Sequence, residues 1–344
     1  MSVVGIGVVG AGYWGPNLIR NFAGAPGGRL AAVCDRDEKR LASVGKGYPG
    51  VRLCTRLEEL LGDPQVDAVA VATPAGTHYE LARAALAAGK GAFVEKPLAM
   101  TSAQCQELVE LAAARGCTLM VGHTFEYNAA VEYVEQLIHT GELGEVYYVY
   151  SQRLNLGVVR QDVDALWNLA PHDISIALRW LGTMPVAVNA RGYTYLQPGI
   201  ADVVYVNLEF ANGVAVHIHV SWLDPGKVRR TTVVGSRKMV VYDDASTDAK
   251  IQLYDKGIDR EHMGGSLGEF DSFGKFQLTQ RAGDVLIPRL DFVEPLKREC
   301  AHFVECVGQG RRPLTDGENG LRVVRVLEAA SQSLATGGVS VALS

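Results

Sequence analysis

The sequence predicts an α/β chain in two parts: a doubly wound parallel sheet first, then an α+β domain built on a large open, mainly antiparallel sheet. Three observations carry this. Apolar runs of strand length alternate with helical stretches up to about residue 125. From Val186 to Leu253 the chain reads as strand after strand, with Asn212-Gly213 as a hairpin turn. At 344 residues, 48% of them apolar, the chain is long enough for two domains. The expected division is 1–125 and 126–344, with the C-terminal helices free to pack back on the first part.

The first element is a buried strand, Val3 to Val9, which empties into Gly10-Ala11-Gly12-Tyr13-Trp14-Gly15 before a helix from Pro16 to Phe22. Gly10 permits the tight turn, Gly12 lets a pyrophosphate approach the backbone, and Gly15 lets the helix lie close to the strand. The helix N-terminus adds N–H donors and a positive dipole end. A second strand, Leu30 to Cys34, delivers Asp35, whose carboxylate can accept both hydroxyls of an adenosine ribose. That selects NAD over NADP, while Arg36 beside it pulls the other way. A glycine-rich turn alone is a weak signal, but strand, helix and acid at this spacing make it specific.

The rhythm continues. Helix Glu38–Gly45, strand Val51–Cys54 and a helical turn at Leu57–Leu61 precede the apolar run Val66–Ala72, which suits a strand buried on both faces. It ends in the loop Thr73-Pro74-Ala75-Gly76-Thr77-His78, at a strand's carboxyl end, where such sheets bind ligands. Helix His78–Ala88 and strand Gly91–Val94 lead to Glu95-Lys96-Pro97. Thr101 or Ser102 caps a helix through Ala114, and strand Thr118–Val121 reaches Gly122-His123-Thr124. Beyond it come helix Ala129–His139, strand Glu145–Leu154 and a helix from Pro171 to Leu181 with Pro171 in its first turn. Gly235 to Lys238 reads as a second hairpin turn. Glu261 to Gly283 reads as a long loop, or an arm reaching a neighbouring subunit. Helices Glu294–Val307 and Gly317–Ala335 finish the chain.

Composition excludes several classes. No apolar run approaches the length of a membrane span, and no export signal precedes the first strand. A net charge of −5 without a basic tract argues against nucleic acid. Cys34, Cys54, Cys105, Cys117, Cys300 and Cys306 are scattered without a CxxC pair and read as reduced thiols, so a cytoplasmic location is expected. His217 and His219 share one side of a strand, but no third ligand is evident. They read as sheet-face packing, and no metal is expected.

With Glu95-Lys96-Pro97 at a strand end, a dinucleotide-binding half and an open C-terminal sheet, the whole chain resembles the family of glucose-fructose oxidoreductases and inositol dehydrogenases. The resemblance implies an NAD-dependent oxidoreductase with Lys96 beside the reacting hydroxyl and His172, in Ala170-Pro171-His172-Asp173, as proton acceptor. Relatives often carry an acid four residues before that histidine, where this chain has Asn168, and an amide cannot exchange the proton. The resemblance adds Thr73, Pro74, His78, Glu95 and His123 to the cofactor site, beside Gly10, Gly12, Tyr13, Trp14, Gly15, Asp35, Arg36 and Lys96. Packing is the plainer reading of Tyr13 and Trp14. The chemistry agrees with these roles: oxidising a secondary alcohol needs a nicotinamide on one side of the carbon and a base near the oxygen. Histidine titrates near neutrality. A charged Lys96 would stabilise the developing alkoxide, and a depressed one could itself take the proton. Both assignments of the proton acceptor stay open. An ion pair with Glu95, or a backbone contact made by His172, would be the structural alternatives.

One branch is matched more narrowly. Gly122-His123-Thr124-Phe125-Glu126-Tyr127-Asn128, the stretch Ser151 to Gly157 and Arg160-Gln161-Asp162-Val163 resemble the sugar 3-dehydrogenases. These oxidise a ring C3 hydroxyl so that a pyridoxal-phosphate aminotransferase can install an amine, on nucleotide-linked sugars or on aminosugars of antibiotic pathways. The implied substrate residues are Lys96, Glu126, Tyr127, Arg153, Asn155, Arg160, Asp162, Asn168 and His172. Between Ser151 and Asp173 stand two basic residues, Arg153 and Arg160, against Asp162, Asp164 and Asp173. That balance leans toward a cationic aminosugar or aminoglycoside over a UDP-N-acetylglucosamine or its uronate. Rival readings are an NADPH-dependent 3-ketosugar reductase, a non-catalytic NAD sensor and an NAD-dependent glycosidase. A homodimer or homotetramer through the C-terminal sheet is expected.

Overall fold

The computed structural model describes residues 3–157, 159–259 and 279–343. It divides into two units, one of residues 1–129, 174–176 and 292–332, the other of 130–173, 177–291 and 333–344.

The first unit alternates strand and helix: β1 (Val4–Val9), α1 (Gly15–Ala23), β2 (Gly28–Cys34), α2 (Glu38–Gly47), β3 (Arg52–Cys54), α3 (Leu57–Leu61), β4 (Ala68–Val71), α4 (His78–Ala87), β5 (Gly91–Glu95), α5 (Ser102–Arg115) and β6 (Leu119–Gly122). The strands form a six-stranded sheet in the order β3-β2-β1-β4-β5-β6, with every pairing parallel. The strand order reverses between β1 and β4, which opens a ligand crevice outside their carboxyl ends. All residues of β1 and β4 are buried, as their unbroken apolar runs require. Asp37 caps α2 by accepting the N–H groups of Lys39 and Arg40, and Thr101 caps α5 through the Gln104 N–H.

The second unit begins with α6 (Ala129–His139), β7 (Val146–Leu154) and α7 (Ala165–Leu181), and continues as β8 (Ala187–Tyr193), β9 (Val203–Glu209), β10 (Ala215–Ser221), β11 (Val228–Gly235), β12 (Met239–Asp243), β13 (Ile251–Asp259) and β14 (Thr279–Leu286). With β15 (Val341–Ala342) these strands make a nine-stranded sheet, order β14-β13-β12-β11-β7-β10-β9-β8-β15, antiparallel except where β7 meets β10. Alternation places Val204, Val206 and Leu208 of β9 and Val216, Ile218 and Val220 of β10 on the buried face, with Tyr205 and His217 on the other. Gly213, at φ +84°, turns the β9–β10 hairpin.

Two expectations change. The helix carrying His172 starts at Ala165, not Pro171, because Asp164 caps it by accepting the Trp167 N–H at 2.9 Å; Pro171 lies inside it. Residues 279–283, expected in a loop, belong to β14, with 279–282 paired to β13; the rest of that expected loop, 261–278, lies outside the described residues.

The chain closes with α8 (Pro295–Gln309) and α9 (Gly317–Ala335). Phe303 of α8 meets Phe22 of α1 and Phe93 of β5 edge to face, at centroid distances of 6.0 and 5.6 Å, and all three are fully buried. Val121 of β6 donates its N–H to Thr315 O, tying the segment between α8 and α9 to the sheet's last strand. Among the described residues no helix is long and apolar enough to cross a membrane.

Candidate active site

The glycine turn is built for close approach. Gly10 has φ +98°, and a Cβ there would stand 2.7 Å from Ala72 O; one on Gly15 would strike the Gly10 carbonyl. Gly12 is open on its free side except toward Arg40, whose Nη1 would lie 3.5 Å from a Cβ. Asp35 is locked against the turn: Oδ2 accepts the Ala11 N–H at 2.6 Å and Oδ1 the Asp37 N–H at 2.8 Å. Its two oxygens keep lone pairs for ribose hydroxyls, and no side chain caps the start of α1, so this end fits an adenosine dinucleotide.

Two arginines stand near the acid. Arg36 is exposed, whereas Arg40 brings Nη1 to 3.6 Å from Asp35 Oδ2 and Nε to 3.5 Å from Asp37 Oδ2. The Asp37 cap sets the register of α2 so that Arg40 turns back over the glycines. Tyr13 is 92% exposed, while Trp14 is partly covered and its side chain bonds Glu95.

Lys96 follows β5 directly, and its N–H donates to Glu95 Oε2 at 3.3 Å. Thr73 and Pro74 stand at the carboxyl end of β4, the Thr73 and Thr77 hydroxyls bonding at 2.7 Å. His78 was expected at the cofactor, but it is 1% exposed, with Nδ1 2.7 Å from Pro97 O and Nε2 2.9 Å from Thr73 O. It ties the loop after β4 to the segment after Lys96. Burial pushes its pKa down, against the two carbonyls.

Three further expected site residues are buried in the same way. His123 is buried, its Nδ1 2.6 Å from Asn319 Oδ1 and 3.7 Å from Glu126 Oε1. Glu126, expected at the substrate, is buried and accepts Asn319 Nδ2–H at 3.1 Å. Tyr127 is buried with its hydroxyl 3.1 Å from Thr315 Oγ1, and burial raises its pKa.

In the second unit, His172 lies on α7 one turn after Asn168, whose Oδ1 accepts the Trp222 indole N–H at 3.2 Å. Arg153, expected to hold substrate, is buried and committed to Asp173 through bonds of 2.7 and 3.1 Å. Ser151 adds its hydroxyl to Asp173 at 2.7 Å. Arg160 grips Asp162 at 2.8 and 2.6 Å near the surface. Arg160 draws the pKa of Asp162 down, through that hydrogen bond first and its charge after. Asn155 donates its backbone N–H to Ser221 O. Asp164 serves as the cap of α7, and burial raises its pKa. The structure thus groups Gly10 to Gly15, Asp35, Glu95 and Lys96 around the first unit's crevice, and His172, Asn168 and Arg153 on neighbouring elements of the second. Among the described residues no group of three potential ligands could hold a metal ion.

Sequence reasoning missed Arg40, Asn319 and Glu299. Arg40 carried a local signal, three residues after a capping aspartate. Asn319 and Glu299 come from α9 and α8, and nothing near them in sequence points to β6.

A glycine turn locked to an acid at the end of β2, with a lysine at the end of another parallel strand, is the framework of a dinucleotide-binding unit. Residues 4–123 match the profile of the GFO/IDH/MocA oxidoreductase family, NAD-binding Rossmann fold, and residues 131–241 match that family's C-terminal domain. The chain belongs to this family, and its cofactor is NAD. It is 34% identical over 224 residues to inositol 2-dehydrogenase 2 of Saccharopolyspora erythraea, covering 62% of this chain and 66% of that protein. That stretch is just under two thirds of the relative's length. It is 28% identical over 233 residues to UDP-N-acetylglucosamine 3-dehydrogenase of Acidithiobacillus ferrooxidans, 66% of this chain and 70% of that one. The crystal structure of GenD2 from gentamicin A biosynthesis, in complex with NAD, superposes with a TM-score of 0.82 at 26% identity, covering 100% of this chain and 97% of that one.

Proposed function

We propose that this protein oxidises a ring secondary hydroxyl of a sugar, at C3, to a 3-keto sugar, with an amino-bearing sugar of the aminoglycoside type as substrate. The product is a ketone of the kind a pyridoxal-phosphate aminotransferase consumes. The observation that carries the substrate lean is the state of the arginines between Ser151 and Asp173. Arg153 is neutralised by Asp173 and Arg160 by Asp162, so neither guanidinium of that stretch is left for a sugar diphosphate. GenD2, the solved relative from gentamicin A biosynthesis, supports the same lean.

In this reading NAD supplies the hydride acceptor. Asp35 and the glycine turn fix its adenosine end, and the carboxyl ends of β4 and β5 receive the other. Lys96 bonds the reacting hydroxyl and stabilises the charge that develops on its oxygen, and His172 takes the proton. Asn168 turns its side-chain oxygen to Trp222 and exchanges no proton, so the position four residues before His172 carries an amide where relatives often carry an acid. The outer sheet face, where Tyr205 stacks on His219 at 4.2 Å and Tyr148 on Tyr150 at 6.2 Å, is the surface for a second copy of the chain.

The second reading, a UDP-N-acetylglucosamine 3-dehydrogenase, draws on the Acidithiobacillus relative. NADH formation across UDP-sugars, sugar phosphates and aminoglycosides separates the two, with the ketone trapped by an aminotransferase. Turnover of an aminoglycoside is expected; turnover of a UDP-hexosamine alone would replace the first reading with the second. Reduction of a 3-ketosugar by NADPH in preference to NADH would favour the reductase.

A further inference from the structure

The buried face of β7 carries a charge where alternation calls for an apolar side chain. Val149, Ser151 and Arg153 all point into that face, and all are buried. Arg153 donates Nε–H to Asp173 Oδ2 at 2.7 Å and Nη2–H to Asp173 Oδ1 at 3.1 Å, a two-pronged ion pair between β7 and α7. Ser151 donates its hydroxyl to Asp173 Oδ1 at 2.7 Å. With that proton committed, Ser151 Oγ must accept from Thr231 Oγ1–H, 2.9 Å away on β11, where Thr231 pairs with Ser151 in register. Asp173 thus accepts three hydrogen bonds from one strand, and it is the residue that follows His172.

A buried ion pair is an inefficient way to hold a helix down. Taking both charges out of water offsets most of their attraction, so apolar replacement of both partners is often neutral or stabilising. What the pair supplies is geometry. A guanidinium fork meets a carboxylate in one plane, so it fixes the rotation of α7 about its own axis as well as its distance from β7. One turn before His172, Asn168 Oδ1 is held by the Trp222 indole N–H at 3.2 Å. His172 therefore leaves α7 between two fixed points, residues 168 and 173. Side-chain tips lie about 5–6 Å from a helix axis, so a turn of about 10° would carry the imidazole about 1 Å. A displacement of that size can cost about 100-fold in rate.

We propose that Arg153 and Asp173 are positioning residues: their buried pair sets the rotation of α7 on the sheet, and with it the direction of the His172 imidazole, while contributing little to net stability. This rests on the reading of His172 as the proton acceptor.

The test compares two double variants of the full chain. Arg153→Met with Asp173→Leu removes the pair and leaves the Ser151 and Thr231 hydroxyls bonded to each other. Arg179→Met with Glu135→Leu removes another ion pair of the same helix, Arg179 Nη2 to Glu135 Oε2 at 2.6 Å, which joins α7 to α6 two turns beyond His172. NADH formation is followed with each UDP-sugar, sugar phosphate and aminoglycoside that the parent oxidises, beside NAD affinity and thermal unfolding. The first variant should lose about 100-fold in kcat with KM and NAD affinity within about 3-fold. It should melt within about 4 °C of the parent. The second should keep kcat within about 2-fold. Arg153→Lys, which keeps the charge without the fork, should lose about 10-fold or more in kcat at unchanged KM. Unchanged kcat in the first variant or in Arg153→Lys would overturn the proposal. So would equal losses of kcat in the two double variants, or a first variant too unstable to bind NAD. Parent-like turnover in His172→Gln would instead overturn the assignment of the base. If the parent oxidises none of the sugars, the dehydrogenase reading falls and the proposal with it.

Discussion

Arg40 lies about one helical turn past the aspartate that caps α2, out of sight of the glycine motif. With its guanidinium between Asp35 and Asp37 and above Gly12, it is the cation placed to meet a 2′-phosphate once Asp35 is removed. Asp35→Ser should gain NADP binding. Adding Arg40→Ala should weaken that binding by about 10-fold or more, as loss of a charge-assisted hydrogen bond does. Adding Arg36→Ala instead should change it less than about 2-fold, as expected for a solvated surface charge. Quenching of Trp14 fluorescence would report both, and a larger loss with Arg36→Ala would reverse the assignment. Asp35 itself was legible because strand, glycine turn and acid are local and fixed in spacing. The partners of His78, His123, Glu126 and Tyr127 were not legible, for the opposite reason. Short motifs name them, but their hydrogen-bond partners lie elsewhere in the sequence: Pro97 for His78, and Thr315 and Asn319, nearly 200 residues on, for the others.

At the scale of elements, the parallel strands were readable because burial on both faces leaves an unbroken apolar run. The antiparallel ones were readable from alternation and from Asn212-Gly213. The start of α7 was not. Proline is favoured in a first turn, yet the Asp164 cap and the fully buried Ala165 and Leu166 extend the helix upstream of Pro171. The sequence shows α8 as amphipathic but not what its apolar face covers. Phe303 closes an aromatic triangle with Phe22 and Phe93, so Phe303→Ala should cost about 3–5 kcal/mol of unfolding free energy. Denaturant unfolding followed by near-ultraviolet circular dichroism would measure it, and a loss below about 1 kcal/mol would mean that α8 is not part of that core.

At the scale of the molecule, residues 292–332 return to the first unit after the long excursion through the nine-stranded sheet. That return brings Glu299 to the Thr124 hydroxyl and Asn319 to His123 and Glu126, just past the end of β6. Family and cofactor follow from the first unit's glycine turn, acid and lysine. In the proposed reading, the sugar is selected by the second unit's short loops and their ion pairs. The central claim is that Lys96 acts on the substrate hydroxyl of an NAD-dependent dehydrogenase. It is tested most directly by Lys96→Met, assayed for NADH formation with the sugar found to be turned over and for NAD binding by calorimetry. The account predicts a fall in turnover of about 100-fold or more, the scale of a lost catalytic group, with NAD affinity within about 3-fold of the parent. Unchanged turnover in a variant that still binds NAD would contradict it.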